Sequence, residues 1–129
     1  MFMAGENRCD QLDFERSCCP ITNVLDLMGD KWSMLIIRDI FLGKSRFVEF
    51  TQSPERIPSN ILSSRLNRLV ASGLLCKTCY QYKPVRYRYT LTRKGRDLQP
   101  VLEAMEAWAK RHIPGVMTFP LFIPSEEMS

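Results

Sequence analysis

The chain has 129 residues, 45% of them apolar, and a formal charge of +4, which suits one compact domain carrying short tails. No uninterrupted apolar run approaches a membrane span, the start MFMAGENRCDQ lacks a signal-peptide layout, and no Gly-rich phosphate loop, repeat or low-complexity tract is present. A cytoplasmic protein with no membrane partner is therefore expected. Its five cysteines, an odd count for such a compartment, argue against a disulfide scaffold.

Residues 1–17 are polar and mixed, with Leu12 and Phe14 as their anchors, and read as an arm or short helix that packs on a partner subunit. Cys18, Cys19 and Pro20 open a helix over Ile21 to Met28, with Leu25 and Met28 inward and Gly29 as its stop. Asp30 caps the next helix, Lys31 to Leu42, whose Trp32, Leu35, Ile36 and Ile40 form a wide apolar face. Ser45 caps a short third helix, Arg46 to Thr51, with Phe47 and Phe50 inward and Glu49 outward. A turn through Pro54, Glu55 and Arg56 leads to Ile57.

From Pro58 to Ser72 the apolar spacing predicts a helix, with Pro in its first turn and Gly73 as the stop. At about 100° per residue Leu62, Leu66 and Leu69 fall on one stripe. Asn60, Ser63, Ser64 and Asn67 fall on the opposite one, next to Ser59 and flanked by Arg65 and Arg68. Ser and Asn are mediocre helix formers, so an outer face made of them serves solubility poorly. In a major groove the same groups have a use: Asn bonds an adenine edge bidentately, Ser is tolerant, and Arg reaches guanine or phosphate. Two helices joined by a short turn, the second presenting such groups, form a helix-turn-helix.

Beyond Gly73 the period becomes alternating. Leu74 to Gln81 and Val85 to Leu91 are rich in β-formers, with a turn through Tyr82, Lys83 and Pro84. This predicts a hairpin bearing Lys83, Arg86 and Arg88, a basic wing that lies along phosphates or reaches a minor groove. Thr92 caps a last helix of about twenty residues, in which Leu98, Val101, Leu102, Met105 and Trp108 recur at threes and fours. At about 30 Å it exceeds what a small domain must cover, so its surplus stripe, with Leu98, Leu102, Met105 and Trp108 as the candidate residues, argues for a dimer interface. Pro100 should bend it. The closing MTFPLFIPSEEMS is apolar but cut by Pro120 and Pro124, and is expected to drape over a partner.

Charge is distributed very unevenly. Arg56 to Arg96 holds ten of the eighteen basic residues and no Asp or Glu, leaving eight basic against fourteen acidic residues elsewhere. Cations interleaved with aromatics in one segment are the footprint of a polyanion partner. The expected fold is α+β and mostly helical: a winged helix-turn-helix with a two-stranded wing and a long C-terminal dimerisation helix. The arm would be 1–17, the winged-helix domain 18–112 with its dimerisation helix at about 92–112, and the tail 113–129.

The chain resembles the HxlR-type winged-helix transcription regulators, relatives of the MarR group, over about residues 18–112. The resemblance is carried by Cys19-Pro20, Gly29-Asp30-Lys31-Trp32 with Ile37 and Arg38, and Arg46-Phe47-Val48-Glu49-Phe50. It continues through Ile57, Leu62, Arg65-Leu66, Leu69 and Ser72-Gly73-Leu74 to Tyr89-Thr90-Leu91-Thr92 and Gly95. It implies a homodimer on a pseudo-palindromic operator of double-stranded DNA, joined through its first and last helices, with recognition helices about 34 Å apart. It also implies repression or activation of neighbouring genes and, in some members, a thiol sensor for oxidants or electrophiles at the position of Cys19. The chain departs from the family pattern at Asp30, Pro58, Asn60 and Arg88.

Other chemistries find less support. Cys76 and Cys79 stand three apart on a strand and so face opposite ways, and no second CxxC or His cluster completes a tetrahedron. No metal and no cofactor is expected. His112, the only histidine, has no Ser or Cys arranged around it as a triad, and no carboxylate pair stands out, so an enzyme is not expected. Cys19, opening a helix, is the candidate sensor, set against a small residue filling an interface. Met28, Met34 and Met105 could line a cavity for a small-molecule effector. The alternative to a regulator is a winged-helix module that docks a protein or ligand without specific DNA binding, in which case the Asn/Ser stripe would have no purpose.

Overall fold

The computed structural model describes residues 14–118. Its elements run α1 (Pro20–Met28), α2 (Ser33–Phe41), α3 (Phe47–Phe50), α4 (Ser59–Ala71), β1 (Leu75–Tyr82), β2 (Val85–Leu91), α5 (Arg93–Arg96) and α6 (Gln99–His112). β1 and β2 form an antiparallel hairpin, with Leu75 opposite Leu91 and Tyr82 opposite Val85. The stretch before α3 joins its edge: Arg46 bridges Arg88, and the Tyr89 amide donates to the Ser45 carbonyl at 2.7 Å. α3 is thereby tied to the wing. Most of the N-terminal arm and residues 119–129, where the draped tail was expected, lie outside the described residues.

The core sits where the helices meet the root of the hairpin. Met28, Ile36, Ile37, Phe50, Leu62, Leu66, Leu69, Leu74, Leu75, Tyr89 and Leu102 are buried there. The leucine stripe of α4 is wholly inside, and each such side chain contributes about 1.5–3 kcal/mol of transfer free energy. The end of α4 is set by Gly73 at φ 79°. Its amide donates to Val70 and the next amide, of Leu74, to Leu69, which satisfies the last carbonyls and brings Leu74 over Leu69.

Three expectations need correcting. The last helix is two pieces, α5 and α6, because Pro100 has no N–H for the Arg96 carbonyl and its ring would collide with it; Pro100 starts α6 rather than bending a long helix. α6 is therefore about 21 Å long, not 30 Å. Leu25 faces out of α1, 55% exposed, because α1 packs through Met28 instead. Glu49 does not point outward: it folds back to accept from the Ser45 and Arg46 amides at 2.8 and 2.9 Å, so the cap of α3 is built by Glu49 rather than by the Ser45 side chain. Among the described cysteines Cys18 is disulfide-bonded, while Cys19, Cys76 and Cys79 are free thiols.

Candidate nucleic-acid interface

α4 presents Ser59, Asn60, Ser63, Ser64, Asn67 and Arg68 to solvent, directly behind the buried Leu62, Leu66 and Leu69. Burial of the leucines therefore sets which way the Ser/Asn stripe faces. Pro58 stands just before the helix as its N-cap residue, not inside the first turn. Two arginines expected beside the stripe are engaged with the protein itself. Arg65 donates from Nε to Asp30 Oδ2 at 2.9 Å and from Nη1 to Ser64 Oγ at 3.2 Å. Arg68 donates from Nη2 to the Asp26 carbonyl at 2.6 Å, near the C-terminus of α1. Both brace α4 against the helices behind it.

Asp30 serves two partners. It accepts from the Trp32 and Ser33 amides at 3.0 and 3.1 Å and from the Ser33 hydroxyl at 2.6 Å, capping the start of α2 as expected, while it holds Arg65. Burial pushes its carboxyl up, but the Ser33 hydroxyl, the Arg65 guanidinium and the two amides outweigh that and bring it to about 2.

The turn that aims α4 is held by a polar clamp. Arg38 forks onto both Glu55 oxygens at 2.8 Å through Nη1 and Nη2, and Nη2 also reaches Asp39 at 2.8 Å. The Ser53 hydroxyl donates to Asp39, and Lys44 donates to that hydroxyl at 2.9 Å. The Arg38 fork holds the Glu55 carboxyl below its usual range, and the Glu55 carboxylate in turn raises the Arg38 guanidinium. Sequence reading missed this clamp. Its signal was a charged Arg38-Asp39 pair inside the apolar run of α2, and such a pair stays buried only when every group is partnered.

Lys83, Arg86 and Arg88 are exposed along the wing. Lys77 lies 4.1 Å over the Tyr87 ring, and Arg46 and Arg88 each lie 5.1 Å from the Tyr80 ring. Arg46, ten residues before the basic segment, was not among the expected contacts. At the far end of the segment, Lys94 donates to the Ser72 carbonyl and Arg96 to that of Leu91. The ten cations are thus divided between bracing the fold and facing solvent.

Of the four residues proposed for dimerisation, Leu102 is buried in the protomer's own core and Leu98 packs on it. Met105 and Trp108 remain 52% and 60% exposed, on one flank with Val101, and α1 exposes Ile21, Val24 and Leu25. Cys19 is the N-cap residue of α1 and half-buried. The amide and hydroxyl of Thr22, with the Ile21 amide, hold its thiol below the ordinary range against some burial. A largely apolar cavity of 490 Å³ lies between α2, α6 and the chain after it, lined by Met34, Leu35, Leu102, Met105 and Met117 with Arg38 and Glu106 at its polar edge. Met28, expected there, is in the core. Cys76 is exposed and Cys79 half-buried, with its thiol donating to the Gln81 carbonyl. Among the described residues, no helix is long and apolar enough to cross a membrane.

Comparison with known proteins converges on one family. The profile described as HxlR-like helix-turn-helix matches residues 27–117. An HTH-type transcriptional regulator of Synechocystis is 38% identical over 67% of this chain and 64% of its own length, so the match spans less than two thirds of that relative. The HTH-type transcriptional regulator YdeP of Bacillus subtilis is 33% identical over 78% of this chain and 77% of its own. In three dimensions the reduced form of the B. subtilis transcriptional regulator YodB, a protein also solved after diamide treatment, superposes with a TM-score of 0.64. It is 33% identical, over 77% of this chain and 98% of that one. With a helix-turn-helix, a basic wing and matches of this extent, the chain belongs to the HxlR-like helix-turn-helix family of transcriptional regulators, a class without enzymatic activity.

Proposed function

We propose that this protein is a homodimeric transcription regulator that reads a pseudo-palindromic DNA operator through α4. The observation that carries this reading is the exposed Ser/Asn stripe standing opposite the buried leucines. Asn60, Ser63, Ser64 and Asn67 contact base edges, while Lys83, Arg86 and Arg88 contact phosphates or the minor groove. Arg65 and Arg68 orient the helix. Residues 18–112 are the working unit, acting in the cytoplasm.

Dimerisation uses the exposed apolar residues of α1 and α6, chiefly Val24, Leu25, Met105 and Trp108. Apolar side chains exposed along these helices gain free energy when a second copy buries them. Cys19 senses oxidants or electrophiles: its thiol is free, half-buried at a helix N-terminus and shifted toward the thiolate. The cavity against α6 has the size and apolar lining for a small effector.

Selection of bound fragments from genomic DNA, followed by titration of one recovered duplex, tests the reading. A two-fold symmetric consensus bound by two protomers is the expected result. A monomer by sedimentation, or recovery of no shared sequence, would refute it.

A further inference from the structure

We infer that Arg46 and Arg88, both lying against the Tyr80 ring, form a phosphate clamp that extends the DNA-binding surface from the wing to the start of α3. The inference rests on the DNA-binding reading and adds to it a residue, Arg46, that lies outside the basic segment.

The arrangement is built by the backbone. The hairpin ladder slips at Tyr80, passing from Cys79 opposite Tyr87 to Gln81 opposite Arg86; a bulge of this kind re-aims the residue it releases. The bridge of Arg46 to Arg88 sets those two side chains next to each other across the sheet edge. Each guanidinium then lies 5.1 Å from the ring centroid, so the two charges are within about 10 Å of each other, no more than a Debye length at 0.1 M salt. A ring quadrupole attracts each cation but neutralises neither.

Like charges held this close repel unless an anion joins them. Among the described residues no carboxylate forms an ion pair with Arg46, Arg86 or Arg88. Glu49, three residues after Arg46, has its carboxylate on the Ser45 and Arg46 amides. A cleft of 280 Å³ opens beside Arg46 and Tyr80, lined also by Val48, Arg86 and Tyr87 but not by Arg88. Guanidinium forks match phosphate geometry bidentately, and a duplex backbone offers successive phosphates at the required spacing. This cluster, with its charges oriented in advance and held in no ion pair among the described residues, is suited to that backbone rather than to base edges.

The test uses the full chain and a random-sequence 30-base-pair duplex, titrated from 50 to 200 mM salt. Arg46→Gln is expected to weaken binding three- to tenfold and lower the slope of log affinity against log salt by about one. Arg46→Lys should retain the slope. Tyr80→Phe should bind as the parent does and Tyr80→Leu should lose as much as Arg46→Gln, because the ring and not its hydroxyl aligns the cations. If the parent binds and Arg46→Gln binds with the same slope, the clamp is wrong and the regulator reading stands. If the parent does not bind the duplex at all, both fall. Should Arg46→Gln fail to fold, the Tyr80→Phe and Tyr80→Leu pair decides: equal affinity of the two overturns the clamp.

Discussion

Arg65, in the middle of α4, donates to Asp30, the carboxylate that starts α2, at 2.9 Å across 35 residues of sequence. One carboxylate therefore both caps a core helix and fixes the rotation of α4, the helix proposed to face DNA. Any change at either residue reaches the other's element.

Arg65→Ala should consequently act on stability before it acts on base reading. Both side chains are about four-fifths buried, and removing one partner leaves the other's charge incompletely satisfied, at a cost of about 1–3 kcal/mol. Urea denaturation of parent and variant measures it. An unchanged midpoint together with a lost contact to DNA would show instead that Arg65 serves the nucleic acid.

Acid should expose the same pair. Asp30 is near 2 when folded and about 3.9 when unfolded, so its contribution is present in full above about pH 4 and is lost as pH falls through about 2. Glu49, held down by the Ser45 amide first, and Glu55, held down by Arg38, shift in the same direction. Stability should therefore fall from about pH 4 downward. Asp30→Asn should remove roughly 1–2 kcal/mol of that dependence, read from urea midpoints at pH 5 and pH 3.

Asn67→Ala and Arg86→Ala should separate reading from holding. The first is expected to cost about 1–3 kcal/mol on the operator and to relax preference at one base pair. The second should weaken every duplex alike and reduce the salt slope by about one. Equal losses on operator and random DNA for both variants would remove the assigned division of labour.

Gly95→Ala should be among the most damaging small substitutions. A Cβ there would stand 2.3 Å from the Leu74 carbonyl and 3.0 Å from Leu91 Cδ2. The Leu74 carbonyl is not free to move, since it receives the Thr92 amide at 3.1 Å and Leu74 belongs to the core. A loss of about 2–4 kcal/mol is expected, visible as a lower thermal midpoint and faster proteolysis of the wing.

Diamide treatment followed by mass spectrometry should modify Cys19 ahead of Cys79, since Cys19 combines a helix N-terminus with a thiol shifted toward the thiolate. Cys19→Ser should abolish any oxidant effect on operator affinity. A response that survives this substitution would assign sensing elsewhere.

Residues 20–112 show which parts of the fold pattern alone could reveal. The leucine period of α4, the alternation of the wing and the stops at Gly29 and Gly73 were legible because each reflects local backbone geometry and one buried face. The two faces of α4 followed from the same rule, since a helix that buries Leu62, Leu66 and Leu69 must expose Asn60, Ser63, Ser64 and Asn67. Which arginines are left for DNA was not legible. Charge is a property of the segment, but Arg65, Arg68, Lys94 and Arg96 are assigned to Asp30, Asp26, Ser72 and Leu91 only by three-dimensional proximity. The burial of Leu98 and Leu102 and the placement of Arg46 beside Arg88 likewise depend on contacts between residues distant in sequence. The chain by itself determined the elements and the sign of the surface; the tertiary structure decided which side chains remain free to use it, because hydrogen-bond partners are chosen by distance in space and not along the chain.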